Sequence, residues 1–171
     1  TLPDAAPVYD LVWSGTEFLA VGGNEGEARL WQSDDGLTWE SSIIPWWGAP
    51  IRAVVWDGRR YLIAGDGGRL ASSLDGSVWT FESSGTSRNL RRLVFADSKY
   101  VASTDNGWVR WSDDLSVWGE REVGRFEVPL VYGDGKWLIG ERWRTIDFDD
   151  WADLGPNGIY GEFLFAFDHF L

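Results

Sequence analysis

Short apolar runs in this 171-residue chain come in pairs, and the pairs recur. Leu11-Val12-Trp13 is followed by Phe18-Leu19-Ala20-Val21-Gly22, and Val54-Val55-Trp56 by Tyr61-Leu62-Ile63-Ala64-Gly65. Leu93-Val94-Phe95 leads to Tyr100-Val101-Ala102-Ser103, and Leu130-Val131-Tyr132 to Trp137-Leu138-Ile139-Gly140. In all four pairs the aromatic ending the first run precedes the aromatic opening the second by five residues. The links, such as Asp57-Gly58 and Gly133-Asp134-Gly135, carry residues that hairpin turns prefer. Runs this short and this continuously apolar predict strands covered on both faces. Each pair is therefore expected to be a buried antiparallel hairpin.

A second hairpin follows each of the first, with mixed strands such as Ala28-Arg29-Leu30-Trp31, Arg69-Leu70-Ala71-Ser72 and Trp108-Val109-Arg110-Trp111. These are expected nearer the solvent. Their turns share the frame Ser-x-Asp-x-x-x-Trp: Ser33, Asp35, Trp39; Ser73, Asp75, Trp79; Ser112, Asp114, Trp118; and, with threonine first, Thr145, Asp147, Trp151. The tryptophans lie 40, 39 and 33 residues apart, so one structural unit is reused. An aspartate two residues after a serine can accept backbone N–H bonds across such a turn, while the hydroxyl closes the other side. Leu115 stands where the first two frames have Gly36 and Gly76, which predicts a different turn type in the third. No stretch keeps a helical period with caps.

The fold class expected is all-β: a β-propeller of four-stranded antiparallel blades forming one domain. Its repeats run approximately 8–44, 51–83, 90–123 and 127–154, with a partial fifth at 158–171. The fourth repeat is compressed. Ile159 to Phe167 reads as the inner strands of a fifth unit that lacks the frame, and Thr1 to Asp4 is expected to complete that blade and close a five-bladed ring. The alternative is an open sheet edge completed by another chain, giving a homo-oligomer.

The frame resembles the Asp-box or BNR repeat, found in sialidases and in many bacterial exported propellers, and the resemblance covers nearly the whole chain. It implies that the box is the turn between a blade's two outer strands. It also implies that Asp35, Asp75, Asp114 and Asp147 stabilise the fold far from any central cleft. Exported relatives, together with a chain opening on Thr1, give the expectation of a secreted or cell-surface protein. Sialidase activity would further require an arginine triad, a tyrosine nucleophile and an early Phe-Arg-Ile-Pro segment. None is recognisable, and Pro7-Val8-Tyr9-Asp10 lacks the arginine.

Thirteen tryptophans and 21 glycines fit one large core residue per repeat and many tight turns. The net charge of −12 disfavours nucleic-acid partners and anionic membrane surfaces. No apolar run approaches the ~18 to 20 residues of a spanning helix, so no membrane insertion is expected. With no cysteine and only His169 among the histidines, neither metal nor cofactor is expected. A nucleophilic triad would have to draw its base from that one terminal histidine, so none is expected. The expectation is a non-enzymatic module binding a protein or glycan ligand, with a structural subunit as the alternative. Aromatic residues outside the repeat frame are the candidate binding set: Trp46 and Trp47 in a first inter-repeat connection expected to be longer than the others, and a strip of Trp108, Trp111 and Trp143 with Arg110, Arg142 and Arg144. The pairs Arg59-Arg60 and Arg91-Arg92 are further candidates for meeting a neighbour's carboxylates.

Overall fold

The computed structural model describes residues 2–3, 5–140 and 142–155. The expected fifth unit at 158–171, His169, and the terminal pairing expected to close the ring lie outside the described residues. Within them the chain forms four sheets of four antiparallel strands, each in chain order. Blade 1 holds β1 (Val8–Trp13), β2 (Phe18–Gly22), β3 (Arg29–Ser33) and β4 (Glu40–Ile43). Blade 2 holds β5 (Ile51–Trp56), β6 (Tyr61–Gly65), β7 (Leu70–Ser73) and β8 (Thr80–Glu82). Blade 3 holds β9 (Leu90–Ala96), β10 (Lys99–Thr104), β11 (Trp108–Ser112) and β12 (Gly119–Glu122). Blade 4 holds β13 (Leu130–Gly133), β14 (Lys136–Ile139), β15 (Trp143–Thr145) and β16 (Trp151–Asp153). First strands of successive blades are neighbours, as in a β-propeller.

Strand alternation sends each blade's residues into two different cores. In blade 2, Val54, Ile63 and Ala71 pack against Leu19, Val21 and Leu30 of blade 1. Their sheet neighbours Ala53, Leu62, Ala64 and Leu70 pack against Leu93, Tyr100 and Ala102 of blade 3. Leu62 and Ile63, adjacent on β6, are both fully buried, each contributing about 1.5–3 kcal/mol of apolar burial. The five-residue aromatic spacing closes the first hairpin of every blade. Trp13 pairs Phe18, Trp56 pairs Tyr61, Phe95 pairs Tyr100 and Tyr132 pairs Trp137 across the strands. Their ring centroids lie 4.4, 4.5, 4.7 and 5.0 Å apart.

Two of these aromatics also latch blades together. The Tyr61 hydroxyl donates to Glu17 of blade 1 at 2.8 Å, and the Tyr100 hydroxyl donates to Asp57 of blade 2. Burial, reinforced by the Glu17 carboxylate, pushes the Tyr61 hydroxyl up to about 12. In blade 4 the same position is Trp137, whose buried Nε1–H has no partner among the described residues.

The box turns are built alike. Ser33 Oγ accepts from Gly36 N at 2.9 Å and donates to Asp35 Oδ1 at 3.1 Å. Asp35 Oδ1 accepts from Leu37 N and Thr38 N at 2.7 and 2.8 Å, and Trp39 Nε1 donates back to the Gly36 carbonyl at 3.0 Å. Asp75, Asp114 and Asp147 take the two N–H groups of their own turns in the same way.

The structure corrects four expectations. The third box does not change turn type: φ is +72° at Gly36, +70° at Gly76, +68° at Leu115 and +72° at Phe148. The third strand of blades 1 to 3 is largely buried, because it lies inside the sheet with a strand on either side, whereas β15 buries only Thr145. The first strand of blade 1, expected to be covered on both faces, has no buried residue. The connections between blades all span seven residues (44–50, 83–89 and 123–129), so the first is not the longest. The compression of the fourth repeat falls mainly in its strands, which run three or four residues.

Candidate functional site

Because neighbouring strands are antiparallel, the β1–β2 turn and the box turn of a blade emerge on one face of the disc. The β2–β3 loop and the connection to the next blade emerge on the other, which is called the mouth face below. There the innermost strands begin with a repeated irregularity. Pairing skips a residue between Val8 and Asp10 in β1, between Ile51 and Ala53 in β5, and at Arg91 in β9. The skipped residues are Tyr9, Arg52 and Arg91, each four before the aromatic that closes its strand. A bulge frees its extra residue from the ladder and re-aims the side chain. Three successive blades thus turn one large polar or aromatic side chain to the central mouth. In blade 4 the position is Val128, which is buried and lies ahead of β13.

These side chains line a cavity of about 500 Å³ that also touches Asp10, Arg92, Glu127 and Leu130. Arg52 lies over the Tyr9 ring, its Cζ 4.4 Å from the centroid. Arg52 and Arg91 share the carboxylate of Asp66, at 3.3 and 2.5 Å, and Arg91 also reaches Asp105 at 3.2 Å. Asn89 fixes the frame, donating to Asp105 at 2.7 Å and accepting from Gly67 N at 2.8 Å. Arg92 pairs with Glu127 at 3.0 Å, and both remain about half exposed. Burial works against the charge of Arg52, but Asp66 and Tyr9 outweigh it and hold its guanidinium above its ordinary range. Asp10 is shifted the other way. Burial pushes its carboxyl up, against the hydrogen bonds it accepts from Val54 and Leu11 and the field of Arg92. The mouth therefore presents planar cationic donors, held in place by carboxylates, around an aromatic ring and an open cavity. That chemistry suits the capture of carboxylates and peptide carbonyls.

The aromatic candidates are scattered. Trp46 is 43 % exposed and packs on Phe81 of β8, with centroids 4.3 Å apart. Trp47 is fully buried in the core between blades 1 and 2, so its ring is not on display, contrary to expectation. The connection folds back here, and Trp47 fills the space beside Gly65. Nor do Trp108, Trp111 and Trp143 form a shared strip with Arg110, Arg142 and Arg144. Trp108 is covered by Arg88 at 4.2 Å, and Trp111 stacks on Phe148 at 4.8 Å inside the blade 3–4 core. Trp143 lies under Arg121 at 4.7 Å and donates to the Val123 carbonyl at 3.0 Å. Arg110 is buried against Glu120, Arg142 pairs with Asp153, and Arg144 is half-buried between Leu138 and Ala152. Of the arginine pairs, Arg60 is tied to Asp57 and Tyr100 while Arg59 is exposed, and Arg91-Arg92 belongs to the mouth.

Arg52 and Tyr9 were not legible as site residues. Reading along the strand gives only an isolated polar residue at its start. Reading the same position down the four repeats, four residues before the closing aromatic, yields Tyr9, Arg52, Arg91 and Val128.

Solved structures with the same fold exist. The YCF48 protein in complex with a D1 peptide superposes with a TM-score of 0.68 at 17% identity, over 89% of this chain and 55% of that one. The WD40 β-propeller domain of Doa1 gives 0.63 at 16% identity, over 84% and 52%. The computationally designed protein Ika4 gives 0.59 at 13% identity, over 88% and 92%. The chain thus spans about half the length of the two natural propellers it matches. No protein-family model matches it, and no curated protein sequence is similar to it. The class of protein is a β-propeller with four-stranded blades.

Proposed function

We propose that this chain is a non-catalytic interaction module that holds a polypeptide segment of a partner across the arginine mouth. The observation that carries this is the bulge repeated in three blades, which turns Tyr9, Arg52 and Arg91 to one open cavity. Two propellers of the same fold support a protein partner: one carries the WD40 name, and the other was captured with a peptide. A peptide array probed with the wild-type protein and with Arg52→Ala/Arg91→Ala tests the reading. Peptides retained by the wild type should be lost by the double variant and kept by Trp46→Ala. A peptide set indifferent to the arginines would refute it.

A second reading, glycan binding, draws on the exposed shelf of Trp46 and Phe81, because aromatic faces stack on sugar rings. A glycan array with Trp46→Ala and Phe81→Ala tests it. The Ser–Asp–Trp turns support placing the chain with the Asp-box propellers. Secretion or surface display, and a role as the subunit of an assembly through an open edge, belong to the same proposal.

A further inference from the structure

The face opposite the mouth carries a second pattern that the turn geometry does not require. Every box turn shows an aliphatic side chain to solvent: Leu37 in the first, Leu74 and Val78 in the second, Val117 in the third and Ile146 in the fourth, exposed by 61–76 %. The turn fixes the serine or threonine, the stapling aspartate, the left-handed residue and the tryptophan. It does not fix these tip positions, which hold Thr38, Ser77 and Asp149 elsewhere. A single exposed leucine is ordinary on a soluble protein; one on each blade, all on one face, is a patterned surface.

Charge is patterned with it. The four boxes (33–39, 73–79, 112–118 and 145–151) contain eight aspartates and no lysine or arginine. Four of the eight make the staples. Of the other four, Asp113 meets Lys99 at 2.7 Å, while Asp34, Asp149 and Asp150 are exposed. The first-hairpin turns share this face and add Arg59, Arg60, Lys99 and Lys136, but these are matched in number by Glu17, Asp57, Asp97 and Asp134 on the same turns, so the face as a whole stays acidic.

We propose that the box face is a second interaction surface, for a partner polypeptide that carries lysine or arginine between aliphatic side chains. Charge complementarity selects this occupant: apolar tips alone would accept any apolar surface, but eight carboxylates among them repel an acidic one. An anionic membrane is disfavoured for the same reason. A second copy of this chain fits less well, because its arginines at the mouth are already engaged by Asp66, Asp105 and Glu127.

The test is fluorescence anisotropy with three labelled synthetic peptides, one alternating lysine and leucine, one lysine and serine, one glutamate and leucine. The lysine–leucine peptide should bind at least about tenfold more tightly than the lysine–serine peptide, and the glutamate–leucine peptide should not bind. The variant Leu37→Ser/Leu74→Ser/Val117→Ser/Ile146→Ser should lose about tenfold in affinity with an unchanged melting curve. Asp34→Asn/Asp149→Asn/Asp150→Asn should bind more weakly, with a shallower dependence on salt. Arg52→Ala/Arg91→Ala should bind like the wild type, which separates this surface from the mouth. Equal affinity for the two lysine peptides, indifference to the tip substitutions, or no binding at all would each overturn the proposal. So would concentration-dependent self-association that the tip variant abolishes, since the occupant would then be a second copy.

Discussion

The first two box turns and the last two solve one backbone problem in opposite ways. All four need a residue with φ near +70° three places after the serine or threonine. Boxes one and two use glycine, which enters that region without penalty. Boxes three and four use Leu115 and Phe148, where an L-residue costs about 1–2 kcal/mol. What offsets the strain is burial. Leu115 joins the core between blades 2 and 3, and Phe148 the core between blades 3 and 4, both 3 % exposed. Phe148 lies within 4.8–5.6 Å of the ring centroids of Trp111, Trp137 and Trp151. At Gly76 the space is already taken, since a Cβ would come within 2.6 Å of the Gln32 amide that reaches back from blade 1 to the Asp75 carbonyl. The same turn is thus a hinge for packing in one half of the molecule and a bare staple in the other.

Substitutions can break that contrast. The largest effect is expected from Phe148→Ala, which keeps the strained backbone and removes the ring, at about 3–5 kcal/mol by urea denaturation. Phe148→Gly should cost about 1 kcal/mol less than Phe148→Ala, because it also relieves the strain; a larger cost for glycine would show that the left-handed backbone carries no strain at this position. Gly76→Ala comes next, at about 1–2 kcal/mol, with Gln32 displaced. Gly36→Ala should sit at the lower end of that range, because its Cβ would meet the Phe18 ring at an ordinary 3.4 Å.

Acid should act on both kinds of box alike. Backbone N–H donors hold Asp35, Asp75 and Asp147 below the usual carboxylate range, and Asp114 goes down to about 2 because the Ser116 hydroxyl and backbone join in. Carboxyls lowered by folding stabilise the fold fully above their unfolded value near pH 4, and that stability is lost as the pH falls toward 2. A denaturation series from pH 6 to pH 2 should therefore show a steady loss beginning near pH 4. The smallest expected change is in Ser116→Ala. It should raise the titration midpoint of Asp114 toward those of the other three, as read by NMR, without altering the fold.

The sequence carried the parts of this architecture that repeat along the chain. The five-residue aromatic spacing became four cross-strand pairs because the turn between them is tight in every blade. The serine, aspartate and tryptophan of the boxes lie within one turn, where local hydrogen bonding decides the geometry. Trp47 illustrates the limit. Nothing in Pro45-Trp46-Trp47-Gly48 distinguishes the exposed ring from the buried one, since that depends on how the connection folds back over blade 2. Leu115 misled for a related reason: propensity favours glycine at a left-handed position, and tertiary packing overrode it. The mouth was illegible because a bulge breaks the alternation on which strand reading depends.

The chain order of the sheets bears on how this protein assembles. Each blade is a run of contiguous strands, β1-β2-β3-β4 and so on, with no strand exchanged between the four described sheets. Most pairing partners are therefore close in sequence, and forming a blade requires little loop-closure entropy compared with sandwiches of the same size. Such a chain resembles a one-dimensional array, whose units gain stability mainly from their nearest neighbours. The interface between blades 3 and 4 couples its two units through the cluster around Phe148, whereas Glu17 and Gln32 bridge blades 1 and 2 through hydrogen bonds to Tyr61 and to the Asp75 carbonyl.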